Sequence, residues 1–256
     1  MIDAMPSADS QTSTVADDEI ARFAAIADEW WDPVGKFRPL HQLNPLRLTF
    51  IRDHLASHFS RDPMQDRPLD GLKIIDIGCG GGLLAEPLCR MGAQVTGIDA
   101  GAEAIAVARS HAQQMGLAID YHHRAPETLA DETGGYDAVM NMEVIEHVAD
   151  LPAFLSASSG LLRPGGAIVL STLNRTLKSL ALAKIGAEYI LRWLPVGTHD
   201  WRKFQRPSEL AGHLRALDID VQALKGMNYH PVEGTWTLSD NLDINYLMFA
   251  TKAEAP

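Results

Sequence analysis

Cysteine and long apolar runs are scarce in this sequence. Its 256 residues include two cysteines, Cys79 and Cys89, which are too few for a disulfide framework and indicate a reducing compartment. No stretch of 18 residues is free of charged side chains, so no membrane-spanning helix is expected. Residues 1–16 lack a basic start followed by an apolar run, so no secretory signal is predicted. These absences predict a soluble, cytoplasmic protein.

Positive charge is also in short supply. The chain has 22 Lys and Arg residues against 33 Asp and Glu residues, which gives a net charge of -11. Such a surface repels phosphate backbones, so nucleic acid is excluded as a substrate. The hydrophobic fraction of 46% is ordinary for a globular protein with its own core.

The length suits one medium-sized domain with extensions. Within the amino-terminal part, apolar spacing predicts helices over 17–31 and 45–58, followed by a turn-rich linker over 60–71. We predict three parts in all: a disordered tail over 1–16, a helical cap and linker over 17–71, and a main domain over 72–256 that contains a helical insertion over 174–206.

The main domain alternates expected strands with expected helices. This alternation predicts an α/β, Rossmann-like fold with a mostly parallel sheet and helices on both faces. Two late segments, 219–224 and 244–251, are expected to form an antiparallel pair at the sheet edge. Before them, strands are expected over 73–77, 94–98, 119–122, 136–141 and 167–173. Three helices are expected between these strands: one that ends near residue 91, one over 102–115 and one over 143–147.

A glycine-rich turn follows the first expected strand, in the run Ile74-Ile75-Asp76-Ile77-Gly78-Cys79-Gly80-Gly81-Gly82. Glycine tolerates positive φ and lets a ligand touch the backbone, while the helix that follows offers free N–H groups. Asp99 ends the next strand, 21 residues after Gly78, where a carboxylate can accept hydrogen bonds from ribose hydroxyls. The combination predicts a site for a nucleoside cofactor.

The carboxylate of Asp76 indicates which cofactor this site takes. A pyrophosphate placed at the helix start would be repelled by the neighbouring carboxylate. S-adenosylmethionine has no phosphate and carries an ammonium and a sulfonium, so we predict that Asp76 favours it over NAD. The alternative is that Asp76 only caps amides of the turn.

These motifs, with Asp99 and the turn Leu162-Arg163-Pro164-Gly165-Gly166, resemble those of class I methyltransferases over about residues 72–175. Further segments resemble one family in particular, the ubiquinone biosynthesis O-methyltransferases, over about residues 18–252. The segments that carry this closer resemblance are Glu29-Trp30-Trp31-Asp32, His41-Gln42-Leu43-Asn44-Pro45-Leu46-Arg47, Met142-Glu143-Val144-Ile145-Glu146-His147-Val148, Ser171-Thr172-Leu173-Asn174-Arg175, Gly186-Ala187-Glu188-Tyr189-Ile190-Leu191 and Gly197-Thr198-His199-Asp200.

The family resemblance implies an enzyme that transfers a methyl group from S-adenosylmethionine to a phenolic hydroxyl. Its substrates would be polyprenylated ubiquinone precursors, namely 2-polyprenyl-6-hydroxyphenol and 3-demethylubiquinol, and its partners would include other ubiquinone biosynthesis proteins. Two other functions stay open. One is an NAD(P)-dependent oxidoreductase, which Asp76 and the glycine spacing disfavour, and the other is a non-catalytic membrane-associated protein that binds S-adenosylmethionine.

The resemblance also implies cofactor-binding roles, for Arg47, Asp76, Gly78, Asp99 and Met142. Arg47 would hold the cofactor carboxylate, Gly78 would admit its methionine part, Asp99 would bind the ribose, and Met142 would line the cleft. The alternatives are an exposed, ion-paired Arg47 and a Met142 that only fills the core. Many class I enzymes place an acidic residue just after the third strand to bind adenine, whereas this sequence has 124–127 (RAPE) there, so adenine contacts are expected from the backbone.

Glu143, Glu146 and His147 would share one face of the expected helix over 143–147. Two carboxylates and an imidazole suit a hard divalent cation, and with the family resemblance they predict a Mg²⁺ site that would lower the pKa of a phenol. The alternative is an acidic helix start with a solvated or core histidine. His147, His199 and Asp200 are candidate general bases, although a phenol ionised by a metal would need none.

Residues 174–206 are basic in an otherwise acidic chain. They contain seven Lys or Arg residues and two acidic residues, a net charge of +5. A basic amphipathic helix over 176–194 is expected to rest on a membrane surface, which would place the protein peripherally on the inner face of the plasma membrane. The alternative is a helical lid on the active site.

Overall fold

The computed structural model describes residues 29–132, 134–181, 201–230 and 233–254. Of the sequence expectations, the tail over 1–16, most of the helix over 17–31 and the insertion residues 182–200 lie outside these ranges, including His199 and Asp200. Within the described residues the helices are α1 (Arg38–His58), α2 (Ala85–Arg90), α3 (Ala102–Gln114), α4 (Leu151–Leu161), the single turn α5 (Leu177–Ser179) and α6 (Pro207–Arg215), with 3₁₀ turns at Pro126–Glu132 and Trp201–Lys203.

Eight strands form one sheet. They are β1 (Lys73–Ile77), β2 (Gln94–Asp99), β3 (Asp120–His123), β4 (Tyr136–Met142), β5 (Leu162–Leu173), β6 (Ile219–His230), β7 (Thr235–Ser239) and β8 (Asn245–Lys252). The strand order is β3-β2-β1-β4-β5-β8-β6-β7, with β1 to β5 parallel and β8, β6 and β7 antiparallel to their neighbours. The predicted mostly parallel sheet with an antiparallel edge is therefore confirmed.

The antiparallel part is larger than the sequence suggested. The expected pair of strands over 219–224 and 244–251 does form, as β6 and β8. However, β8 lies between β5 and β6 rather than at the edge, and the edge is β7. The hairpin of β6 and β7 was not anticipated because Gly226 lies within β6, where a glycine indicates a turn.

Two large apolar clusters lie on opposite faces of the sheet, and Trp30, Phe37 and Leu83 form a third, small cluster. Side chains of a strand alternate between faces, so Ile74 and Ile75 of β1 point to opposite clusters. Helix α1 packs on the first face through Phe50, Ile51 and Leu55, all at most 2% exposed. The second face is covered by α4 and α6, through side chains such as Phe154, Leu155, Leu210 and Leu214. The sheet therefore lies between two layers of helices.

Helix α1 begins seven residues before the expected position. Pro45 suggested a helix start, but Pro39 occupies the first turn and Pro45 lies inside the helix. Proline there removes one intrahelical hydrogen bond, and Thr49 Oγ1 donates to the Pro45 carbonyl at 3.0 Å. The longer helix carries Arg47 across the first face of the sheet.

The prediction of a helix over 143–147 is wrong. Residues after β4 form a turn, in which Glu143 has a φ of +56° and the His147 amide donates to the Val144 carbonyl. The amide of Glu143 donates to the Ser171 carbonyl at 3.0 Å, which ties the turn to β5. The helical-face argument for a metal site at Glu143, Glu146 and His147 therefore fails, since these residues do not share a helix.

Of the expected helix over 17–31, the structure describes the part from Glu29 onward. This part is a tight turn, in which the Asp32 amide donates to the Glu29 carbonyl at 3.0 Å.

None of the helices in the described ranges combines the length and apolar character needed to span a bilayer.

Candidate functional site

The glycine-rich turn lies at the carboxyl end of β1, before α2. Gly78, Gly80 and Gly82 have φ values of +74°, +52° and +89°, which glycine adopts without strain. The amides of Gly78 and Cys79 both donate to the Ile98 carbonyl of β2, at 2.8 and 3.0 Å. A Cβ on Gly78 would overlap the Val144 side chain in the turn after β4. The turn is thus confined between β2 and the turn after β4.

Asp99 lies at the end of β2, as the sequence predicted, and organises two loops. Its Oδ2 accepts a hydrogen bond from the Gly80 amide at 2.9 Å, and its Oδ1 accepts one from the Gly101 amide at 2.7 Å. Burial raises the pKa of Asp99, while these two backbone donors act in the opposite direction. The carboxylate therefore fixes the glycine-rich turn beside the position where a ribose is predicted to bind.

Asp76 is buried, and one of its oxygens lacks a partner. Its exposed fraction is 2%, and Oδ2 has no donor among the described residues. Burial, reinforced by nearby Asp99, raises the pKa of Asp76 to about 7, although Arg47 partly opposes the shift. The alternative role for Asp76 was to cap amides of the glycine-rich turn. The amides of Gly78, Cys79 and Gly80 instead donate to the Ile98 carbonyl and to Asp99. A dehydrated carboxylate of this kind suits a cationic ligand.

Arg47 is brought to the same place by α1. Its side chain is buried, which contradicts the alternative of an exposed arginine. Nη2 donates to Glu143 Oε1 at 2.7 Å, while Nε is buried and has no acceptor among the described residues. A guanidinium with a spare N–H suits recognition of a ligand carboxylate. Arg47 and Asp76 together present one cationic and one anionic group at the ends of β1 and β4.

Met142 ends β4, one residue before Glu143. Its side chain is half-buried and packs against the first apolar cluster. This placement is compatible with both sequence interpretations, a cleft-lining residue and a core-filling one, so its cofactor role stays a prediction.

Two of the predicted metal ligands, Glu143 and Glu146, accept hydrogen bonds from different side chains of the protein. Glu143 Oε1 accepts hydrogen bonds from Arg47 and from Ser171 Oγ, the latter at 2.7 Å. Glu146 is buried, with Oε2 accepting from Thr172 Oγ1 at 2.8 Å and Oε1 lacking a donor among the described residues. Burial and the nearby Glu143 raise the pKa of Glu146 to about 7, against the effect of His147. Within the described ranges, no three acidic, histidine or cysteine side chains are grouped to hold a metal ion.

Sequence reasoning missed three further residues at this site. Trp30 and Trp31 lie against the glycine-rich turn, although the sequence interpretation placed them at the end of a helix. No local pattern indicated this contact, because the glycines that Trp30 contacts lie 50 residues further along the chain. Asn141, before Met142 in β4, is fully buried with both amide atoms unpartnered in the described part of the chain. Nothing in its sequence context distinguishes it.

Comparison with known proteins identifies close relatives of this chain. A family model described as a methyltransferase domain matches residues 14–224. The chain is 54% identical over 239 residues to the ubiquinone biosynthesis O-methyltransferase of Paramagnetospirillum magneticum (strain ATCC 700264 / AMB-1), covering 93% of this chain and 96% of the relative. It is 51% identical over 245 residues to the mitochondrial ubiquinone biosynthesis O-methyltransferase of Arabidopsis thaliana, covering 95% of this chain and 76% of the relative.

Solved structures share the fold at low sequence identity. Magnesium protoporphyrin IX methyltransferase from Synechocystis PCC 6803, with bound SAH, matches with a TM-score of 0.65 and 22% identity, covering 93% of this chain and all of the other. The 1,6-didemethyltoxoflavin-N1-methyltransferase of Burkholderia thailandensis matches with a TM-score of 0.57 and 17% identity, covering 99% and 94%. Both likenesses show the class I methyltransferase fold.

Proposed function

Because the chain belongs to the ubiquinone biosynthesis O-methyltransferase family, and is thus an S-adenosylmethionine-dependent O-methyltransferase, we propose that it methylates a phenolic hydroxyl of polyprenylated ubiquinone precursors. The substrates we propose are 2-polyprenyl-6-hydroxyphenol and 3-demethylubiquinol. The observation that carries the proposal is the buried Asp76 carboxylate, which lies near Arg47 beside the glycine-rich turn. The oxidoreductase and the non-catalytic binding protein are not favoured, since the curated relatives are O-methyltransferases.

The side chains present fit S-adenosylmethionine. We assign its ammonium to Asp76, its carboxylate to Arg47 and its ribose to Asp99, with Gly78 admitting the methionine part to the backbone. Bound there, S-adenosylmethionine supplies an electrophilic methyl group on a sulfonium. The partnerless Asp76 Oδ2 and Arg47 Nε support this assignment, because each is a buried polar atom that the protein leaves without a counterpart.

The residues of the chain contribute mainly position and dehydration. Methyl transfer is an in-line displacement, so holding the acceptor oxygen against the methyl carbon accounts for much of the acceleration. The partly buried turn after β4 holds Glu143 and Glu146 at the carboxyl ends of β4 and β5. We propose that the acceptor phenol meets the methyl group beside them. His147 and His199 remain candidates for removal of the phenolic proton, and neither is needed if the phenol is ionised by its surroundings.

Magnesium fits the described residues poorly. Glu143 is engaged by Arg47 and Ser171, and no group of three ligands is assembled in the described ranges. No step of the proposed reaction is therefore assigned to a metal. The role of Glu143, Glu146 and His147 as magnesium ligands stays a prediction, which the assay below tests.

Membrane contact through 174–206 is a further part of the proposal. The supporting observation is the net charge of +5 in the sequence. Two of its cations are already used within the protein, however, since Arg175 pairs with Glu209 and Lys178 pairs with Asp243. A peripheral position at the inner face of the plasma membrane would bring the site to a prenylated substrate.

The proposed function is tested by methyl transfer to a short-chain demethylubiquinol analogue. We expect transfer of a labelled methyl group from S-adenosylmethionine, and no binding of NAD or NADP in calorimetry. Parallel reactions with a chelator, and with Mg²⁺ restored, show whether a metal takes part. Asp66→Asn, an exposed loop substitution, is the control for Asp76→Asn, which should abolish detectable transfer. Binding of a dinucleotide in place of S-adenosylmethionine would contradict the proposal.

A further inference from the structure

The segment before α1 crosses the glycine-rich turn. Trp30 is 8% exposed, and its ring lies so close to Gly80 that a Cβ there would overlap it. A Cβ on Gly81 would lie 2.5 Å from Trp30 Cβ. Because these two glycines have no side chains, the Trp30 indole packs directly on the backbone of the turn.

Trp31 binds the same turn through a hydrogen bond. Its Nε1 donates to the Gly81 carbonyl at 2.9 Å. Its ring stacks on His111 of α3, with ring centroids 3.6 Å apart and planes 9° from parallel. His111 Nδ1 lies 2.6 Å from Oε1 of Glu86, a buried residue in the first turn of α2. Trp31 thus links the turn to α3 and, through His111, to Glu86 of α2.

The two tryptophans are themselves held by α1 and the residues just before it. The Trp30 ring stacks on Phe37 at 3.8 Å, and the Trp30 carbonyl accepts a hydrogen bond from His41 Nε2 at 2.9 Å. One turn further along α1, Asn44 Nδ2 donates to the Leu83 carbonyl at 2.7 Å, just after the glycines. The helix that carries Arg47 is therefore bonded both to Trp30 and to the residue that follows the glycines.

We infer that Trp30 and Trp31 are positioning residues that preset the glycine-rich turn for the cofactor. The turn conformation that they hold is the one in which the Gly80 amide donates to Asp99, so they fix the ribose-side carboxylate as well. Neither indole is assigned to the reacting atoms. Their effect is on cofactor affinity, because a preset turn loses less conformational freedom when the ligand binds.

The test compares two tryptophan substitutions in the full chain. Trp31→Phe keeps an aromatic ring against His111 but removes the N–H that Gly81 accepts. Trp236→Phe makes the same change in β7, where the indole Nε1 has no acceptor among the described residues, and is the matched control. We expect Trp31→Phe to weaken S-adenosylmethionine binding about three- to tenfold in calorimetry, and Trp236→Phe to leave it unchanged.

Kinetics and amide exchange separate positioning from simple stability. For Trp31→Phe, KM for S-adenosylmethionine should rise, while kcat at saturating cofactor and KM for the acceptor stay at wild-type values. Exchange of the Gly80 amide should accelerate. Trp30→Phe, which retains a ring over the glycines, should be milder than Trp30→Ala. A lower Tm with an unchanged Kd for S-adenosylmethionine in the folded variant would overturn the inference.

The inference rests on the proposed function, because its test measures binding of S-adenosylmethionine. Failure of the wild-type protein to bind S-adenosylmethionine would contradict the proposed function. Equal binding by the wild type and by both Trp31→Phe and Trp30→Ala would contradict the inference alone.

Discussion

At the residue scale, Asp76 and Arg47 are two charged side chains whose hydrogen-bonding atoms are only partly used by the protein. Each is buried, and each retains one polar atom without a partner in the described structure. Asp99 differs, because both of its oxygens accept backbone hydrogen bonds. The contrast separates two roles among neighbouring carboxylates. Asp99 shapes the loops beside the ribose position that we assign to it, and Asp76 is left available for a ligand cation.

Cofactor binding should depend on pH through Asp76. Its pKa in the ligand-free protein is raised to about 7 from 3.8, so the folded state keeps a proton that the unfolded chain releases. This carboxyl therefore lowers the stability of the ligand-free protein as pH rises from about 4 to 7. A ligand ammonium favours the ionised form, so the association constant for S-adenosylmethionine should rise up to about tenfold per pH unit until about pH 7 and then level off.

Calorimetry in two buffers of different ionisation enthalpy checks this dependence, because binding at pH 6 should release a proton and binding at pH 8 should not. Asp76→Asn should remove the proton release and weaken binding at every pH, whereas Asp66→Asn should retain both features of the wild type. A wild-type affinity that is flat between pH 5 and 8 would argue against the assigned contact.

At the element scale, the site is made where separate turns abut. The glycine-rich turn after β1 touches the turn after β4 at Gly78 and Val144, and touches the segment before α1 at Trp30. These contacts join parts of the chain that are distant in sequence. The geometry of the site therefore depends on packing between turns as well as on the glycine motif.

Gly78→Ala should destabilise the protein more than an alanine at another left-handed glycine. Both Gly78 and Gly116 have positive φ, of +74° and +66°, but a Cβ meets Val144 only at Gly78 and has open space at Gly116. Backbone strain should lower the free energy of unfolding by about 1–3 kcal/mol in each variant, and the overlap should add to this at Gly78. Urea unfolding measures both values, and Val144→Ala should narrow the gap between them. Equal losses in the two variants would show that the overlap is relieved at no cost.

The sequence predicted the elements with strong periodicity and missed those set by contacts across the chain. Strands β1, β2, β4 and β5 follow from apolar runs bounded by turn residues, and Asp99 was expected at a strand end. The turn after β4 was mistaken for a helix, because Glu143, Glu146 and His147 have helical spacing while the positive φ of Glu143 leaves no mark in sequence. Trp30 was misplaced for a related reason. Its position is decided by glycines 50 residues away, which a local pattern does not register.

At the scale of the whole molecule, charge is distributed unevenly. The net charge is -11, yet residues 174–206 carry +5. The described ion pairs of Arg175 and Lys178 neutralise part of that segment. Arg175 and Lys178 should therefore contribute little to attraction by an anionic surface.

Vesicle flotation measures how much of this attraction comes from Lys184 and Arg192 and how much comes from Arg175 and Lys178. Lys184→Gln with Arg192→Gln should reduce the fraction of protein that floats with anionic vesicles, and added salt should reduce it further because the Debye length shortens. The matched control is Arg175→Gln with Lys178→Gln, which should have a smaller effect since those cations already have partners. Equal flotation of wild type and of the Lys184 and Arg192 double variant would contradict membrane contact by this segment.

The placement of β8 between β5 and β6 has a consequence for synthesis on the ribosome. Strands β3, β2, β1, β4 and β5 can assemble as they emerge, but the edge of β5 stays unpaired until Asn245–Lys252 has left the exit tunnel. For that interval the nascent polypeptide exposes a long, apolar strand edge, which favours intermolecular pairing. Protection by chaperones is then most needed late in translation, just before the closing strand arrives.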